Sequence, residues 1–127
     1  MPQPSVAVIG ASNDRRKYGN KAVRAYIENE YKVFPVNPRE DAVEGIKAYH
    51  TIEEIPEPVD FVSMYVPPAV GMKMLAAIAK IAPQEVWLNP GSESDDLIEA
   101  AADLKLRVVV ACSITAIGMD PEGISDH

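Results

Sequence analysis

"VAVIGASNDRRKYGNKAV", residues 6–23, is the stretch on which the fold turns. Its first four residues are apolar without alternation, the mark of a strand buried on both faces of a parallel sheet. Gly10 follows at once, and over residues 19–29 Ala22, Val23, Tyr26 and Ile27 recur at helical spacing. A strand that passes through glycine into a helix N-terminus is how many α/β proteins hold a phosphate, because the first helical N–H groups have no acceptor of their own. The three-glycine dinucleotide fingerprint is nevertheless missing. Arg15, Arg16 and Lys17 crowd the loop instead, with Ala11 and Ser12 before them and Tyr18 and Gly19 behind.

Apolar runs alternate with helical-period segments along the rest of the chain, the pattern of βαβ units. A second strand is expected at 31–36, with Pro35 marking an edge or an irregular end. Residues 40–58 are acidic and read as irregular, with a short helical turn at 51–55. A third strand at 59–66 is closed by Pro67 and Pro68. A helix at 69–82 follows, with Met72, Leu75, Ala76 and Ala79 as its apolar stripe. Residues 85–88 form the fourth strand. Ser92, with Asp95 three residues on, has the spacing of a capping box and places a helix start there. The fifth strand spans 107–112, and 114–127 is expected as a short, partly ordered tail. The reading is one α/β domain over residues 1–127: a Rossmann-like, doubly wound, five-stranded parallel sheet with helices on both faces.

At 127 residues the chain is long enough for one hydrophobic core. Its net charge of −7 argues against nucleic acid as the main partner. No apolar stretch is long enough to cross a bilayer. The N-terminal Met-Pro-Gln-Pro has neither the basic start nor the apolar run of a secretory signal, and a single cysteine forms no internal disulfide. These features point to the cytoplasm. The charge is uneven. Over residues 1–24, Arg15, Arg16, Lys17, Lys21 and Arg24 face only Asp14, a local +4 that leaves −11 for the remainder. A basic loop on an acidic body suits a small anionic ligand.

In a doubly wound sheet such a ligand lies beyond the carboxyl ends of the strands. The informative residues are therefore those after each strand: Gly10-Ala11-Ser12, Asn37-Pro38-Arg39, Val66-Pro67-Pro68, Asn89-Pro90-Gly91 and Cys112-Ser113. Gly10 admits close backbone approach, the Ser12 hydroxyl can donate to a phosphate oxygen, and the basic residues neutralise charge. The second edge argues against NAD, which calls for an acidic residue at the strand tip to hold the ribose hydroxyls. Arg39 suits a ribose phosphate instead, which leaves NADP or coenzyme A.

The ordered pieces "VAVIGASNDRRKYGNKAVRAY", "KVFPVNPRE", "VEGIKAYHTIEEIPEPVD", "VPPAV" and "EVWLNPGSESDDLIEAA" resemble the small single-domain CoA-binding proteins. Through them the chain is similar to the N-terminal domain of the succinyl-CoA synthetase α subunit. The resemblance covers roughly residues 5–115. It implies CoA, or an acyl-CoA, lying across the carboxyl edge of the sheet. The pyrophosphate loop falls on Gly10 to Tyr18, and a cation for the 3′-phosphate falls at Arg39. Val66, Pro67 and Pro68 flank the nucleotide, and Asn89, Pro90 and Gly91 lie beside the pantetheine arm. Two departures limit what carries over. The chain ends before the synthetase's phosphohistidine domain, so neither His50 nor His127 matches that histidine. The synthetase loop also has a second glycine where this chain has Asn13 or its neighbours.

Other residues invite chemical claims that the sequence does not sustain. Cys112 has no visibly placed base and reads as a small packed residue. Glu93, Asp95, Asp96 and Glu99 fall where acids favour a helix start. Tyr18 and Tyr65 read as core aromatics that are also plausible ligand contacts. The expectation is a non-catalytic CoA-binding module acting as carrier, sensor or regulatory partner, without metal. An NADP-binding oxidoreductase-type domain and an accessory subunit of a CoA ligase stand as alternatives, and a homodimer as a fold-level expectation.

Overall fold

The computed structural model describes residues 3–127; Met1 and Pro2, part of the N-terminal reading, lie outside them. Strand β1 (Ser5–Ile9) is buried along its whole length, as its unbroken apolar run requires. It leads into α1 (Tyr18–Glu28) and then β2 (Lys32–Val36). A small antiparallel pair, β3 (Ala42–Val43) and β4 (Ile46–Lys47), comes next. A single 3₁₀ turn at Ile52–Glu54 precedes β5 (Phe61–Met64). The chain continues through α2 (Pro68–Ile81), β6 (Glu85–Leu88), α3 (Asp95–Asp103), β7 (Val108–Val110) and a short α4 (Ser113–Ala116).

The main sheet is parallel throughout, in the order β2-β1-β5-β6-β7. Ala7, Ile9, Val62, Met64, Val86 and Leu88 pack under α2 and α3 on one face. Val6, Val8 and Val33 pack with Ala22, Val23 and Tyr26 of α1 and with Ile114 of α4 on the other. Strand order reverses between β1 and β5, so their carboxyl ends form the crevice in which such folds take ligands.

Several expectations change on contact with the structure. The acidic segment after β2 contains the β3–β4 hairpin, turned by Glu44 and Gly45, both at positive φ. Strand β2 is an edge, as Pro35 suggested, but its rim is partly covered. The Pro35 carbonyl accepts from Tyr49 N at 2.9 Å, and Asn37 N donates to the Tyr49 carbonyl at 3.0 Å. The buried stripe of α2 is Gly71, Leu75 and Ile78, whereas Met72 faces outward at 42% exposure. A Cβ on Gly71 would lie 3.0 Å from Met64 Cε, so the missing side chain seats the helix on the sheet and sets this face inward. The cap of α3 is Ser94, whose Oγ accepts from Leu97 N at 3.1 Å, not Ser92. Ser92 is buried and donates to the Met64 carbonyl at 3.1 Å. Residues 114–127, read as a tail, carry most of α4 and a 3₁₀ turn at Pro121–Gly123, and Ile114 is fully buried. No helix among the described residues is long and apolar enough to cross a membrane.

Candidate functional site

Two clefts meet at the crevice between β1 and β5. The larger, about 680 Å³, runs from Gly10 past Asn37, Pro38 and Arg39 to the wall of α2. Val70, Met74 and Ala77 supply that wall, and Ile52 lies opposite from the 3₁₀ turn. Lys73 stands on the same helix and brings a second cation. The smaller cleft, about 490 Å³, is lined by Ser12, Lys17, Tyr18 and Gly19 on one side and by Tyr65, Pro90, Gly91 and Ser92 on the other. Gly10, Asn37, Val66 and Pro67 belong to both. The result is one two-lobed groove with a saddle at the topological switch point, within the size range of small-molecule sites.

Local chemistry explains the saddle. Gly10 has φ +89°, and a Cβ there would stand 2.5 Å from the Tyr65 carbonyl oxygen, so only glycine brings β1 and β5 this close beyond their paired ends. Asn37 holds the neighbouring edge. Its Nδ2 donates to the Ala11 carbonyl at 2.7 Å and its Oδ1 accepts from Arg39 N at 2.8 Å, which turns the chain so that Arg39 reaches the larger lobe. At the smaller lobe α1 begins at Tyr18 with no side-chain cap, so its first N–H groups are left to water or to a ligand.

The far wall rests on buried hydrogen bonds. Asn89, fully buried, donates from Nδ2 to Ser63 Oγ at 3.0 Å and to the Met64 carbonyl at 2.9 Å. Its Oδ1 accepts from Ser113 N at 2.8 Å. Ser113 Oγ lies 2.8 Å from Ser63 Oγ and 3.0 Å from the Tyr65 hydroxyl. Burial pushes the Tyr65 phenol well above its ordinary value, so it stays neutral near pH 7. Asn89 thus sits behind the Pro90-Gly91 turn and fixes it to β5 and α4.

The structure gathers most of the residues singled out from the sequence: Gly10, Ser12, Lys17, Tyr18, Gly19, Asn37, Pro38, Arg39, Val66, Pro67, Pro90 and Gly91 line the groove. Ala11 and Asn89 are buried supports, and Pro68 opens α2. Arg15 and Arg16 line neither lobe. Arg16 pairs with Asp14 at 2.9 Å and Arg15 with Glu44 at 3.3 Å, because acids lie within reach on the outer side of the loop. That pairing holds the Asp14 carboxyl down to about 2, chiefly through the Arg16 hydrogen bonds. Lys73, Met74, Ile52 and His50 line the larger lobe although none follows a strand of the main sheet. His50 Nε2 lies 2.9 Å from Asp41 Oδ1. Cys112 is half-buried and packs with the α1-side core.

Residues 4–118 match the family model described as a CoA binding domain. The chain belongs to this family of CoA-binding domains. The α subunit of an ADP-forming acetate–CoA ligase from Pyrococcus furiosus is 48% identical over 63 residues, 49% of this chain and 14% of that subunit. An ADP-forming acetate–CoA ligase of Methanocaldococcus jannaschii is 33% identical over 76 residues, 11% of its length. The chain therefore spans only a small part of these curated relatives. Among solved structures, a conserved hypothetical protein from Pyrococcus furiosus superposes with a TM-score of 0.82 at 28% identity, over 89% of this chain and 98% of that one.

As a CoA-binding domain, the chain bears out both the family resemblance and the Rossmann-like fold expected from its alternating strand and helix segments. The NADP alternative finds no support in these relatives. The residues fit a CoA nucleotide on the structure's own terms. A glycine saddle admits a diphosphate, a bare helix start faces it, and a lobe with apolar walls carries two cations.

Proposed function

We propose that this CoA-binding domain takes coenzyme A or an acyl-CoA along the two-lobed groove, as a carrier, sensor or regulatory module without chemistry of its own. The carrying observation is the meeting of both lobes at Gly10, where a Cβ would strike the Tyr65 carbonyl. The pyrophosphate lies over Gly10 and Ser12 against the start of α1, beside Lys17. The adenosine enters the larger lobe between Ile52 and the α2 wall, with its 3′-phosphate near Arg39 and Lys73. The pantetheine arm leaves past Tyr65, Pro90 and Gly91. The groove's side chains suit recognition: cations, a neutral phenol, a fixed amide and apolar walls.

Backbone amide NMR with added CoA tests this placement. Shifts concentrated at residues 10–19, 37–39, 65–67 and 90–92 support it. Shifts confined elsewhere, or none at millimolar CoA, sink it. A second reading is an accessory subunit of a CoA ligase, favoured by the 48% identity to a ligase α subunit. Purification from the native host with a catalytic subunit attached supports that reading, and isolation of the chain alone opposes it.

A further inference from the structure

The family match ends at residue 118, and the nine residues after it, Met119-Asp-Pro-Glu-Gly-Ile-Ser-Asp-His127, carry three acids and no Lys or Arg. They turn back over α1. Met119 N donates to the Ile114 carbonyl at 3.1 Å, Asp120 Oδ1 accepts from Glu122 N at 3.0 Å, and Ile124 packs on the α1-side core. Asp126 pairs with Lys21 at 2.7 Å, a lysine whose side chain is only 8% exposed. The Ser125 carbonyl accepts from Arg24 at 2.6 Å, and the His127 carbonyl accepts from Arg15. Glu122 accepts from the Tyr18 hydroxyl at 3.4 Å, and Tyr18 itself lines the smaller lobe.

These contacts fall on the one basic region of the chain. The +4 of residues 1–24 meets −3 from residues 119–127, so the two segments together carry only +1. Arg15, the first cation of that loop, is drawn outward to Glu44 and the His127 carbonyl, and its buried Nε has no acceptor among the described residues. An unmatched buried donor costs free energy that a rearranged loop would recover. The docked segment therefore helps to hold one loop cation, Arg15, in a serviceable but incomplete arrangement.

We propose that residues 119–127 form an acidic strap whose docking on α1 weakens the hold of the adjoining loop on anionic ligands, an autoinhibitory contact outside the stretch that the family model matches. The proposal rests on reading the groove as a phosphate-holding site. The strap and the ligand draw on one positive field, so each lowers the affinity of the other by the same factor. A partner that lifts the strap raises ligand affinity without touching the groove.

The double variant Glu122→Gln, Asp126→Asn keeps Ile124 and the Asp120 turn while removing two charges. Calorimetric titration of wild type and variant, with CoA and with inorganic pyrophosphate, is the test. At low salt the variant is expected to bind both about three- to tenfold more tightly, an advantage that shrinks as salt is raised. Equal or weaker binding by the variant overturns the strap. If CoA binds wild type and the variant gains nothing, the strap falls and the CoA reading stands. If pyrophosphate binding tightens while CoA binds neither protein, the strap stands and the CoA reading falls. Amide exchange at residues 124–127 adds an independent readout: it should quicken when pyrophosphate is added, and unchanged exchange on a saturated protein counts against the proposal.

Discussion

A Cβ placed on Gly19 would stand 2.2 Å from the carbonyl oxygen of Gly10, so the first turn of α1 rests directly on the backbone that leaves β1. Gly10 in turn excludes a Cβ against the Tyr65 carbonyl at 2.5 Å. Two glycines nine residues apart stack helix, loop and neighbouring strand at backbone distance. The groove opens where that stack ends.

The first consequence concerns stability. Gly19→Ala forces backbone apart rather than displacing a pliable side chain, and is expected to cost about 3 kcal/mol. Gly10→Ala carries the added strain of φ +89° and should cost at least as much. By contrast a Cβ on Gly91 meets nothing within 4 Å, and Gly91→Ala bears only the milder penalty of its positive φ. Urea denaturation of the three variants checks the order, and a Gly19 variant as stable as wild type would contradict the stacking.

Asn89 makes a second test, because one side chain satisfies groups on β5 and α4 at once. Asn89→Ala leaves the Ser113 N–H without its buried acceptor, and takes one donor each from Ser63 Oγ and the Met64 carbonyl. A loss of about 3 kcal/mol is expected, with CoA affinity falling as the Pro90-Gly91 turn loosens. A stability change below about 0.5 kcal/mol, within the range of an ordinary surface substitution, would contradict its role.

The cations divide by where they point. Arg39→Ala should weaken CoA binding about tenfold and dephospho-CoA binding little, through loss of a charge-assisted contact to the 3′-phosphate. Lys73→Ala should show the same pattern more weakly. Arg15→Ala and Arg16→Ala, whose side chains pair outside the groove, should change either affinity less than threefold. Titrations of the four variants with both ligands check the division, and an Arg16 effect as large as that of Arg39 would contradict it.

Much of this was legible in the residues. The apolar run of β1, the glycine after it and the edge motifs placed the sheet and the groove, because buried parallel strands and tight turns demand those residue types. What escaped detection has physical causes. Two-residue strands such as β3 and β4 are too short to show alternation. Apolar residues surround α2, so its period alone did not distinguish Met72 from Ile78. Ser92 and Ser94 are equivalent as caps until the Asn89-Pro90-Gly91 turn is built. Charge in a loop does not say which way a side chain leans, so Arg15 and Arg16 read as ligand contacts although acids claim them. Lys73 lies mid-helix, where no edge motif points to it.

Asp14 makes the outward pairing measurable. Its carboxyl, held down to about 2 from 3.8 by Arg16, supports the loop's order above the ordinary value and ceases to do so as pH falls through about 2. A carboxyl ¹³C titration should therefore find its midpoint near 2 in wild type and well above that in Arg16→Ala. The same midpoint in both proteins would contradict the pairing.

Calorimetric titration of the wild-type protein with CoA, with dephospho-CoA and NADP as controls, bears most directly on the groove. Micromolar binding of CoA that weakens several-fold without the 3′-phosphate, with NADP weaker still, is the expected result. Silence toward CoA at millimolar concentration, or binding of NADP in its place, would contradict the assignment of the groove to CoA.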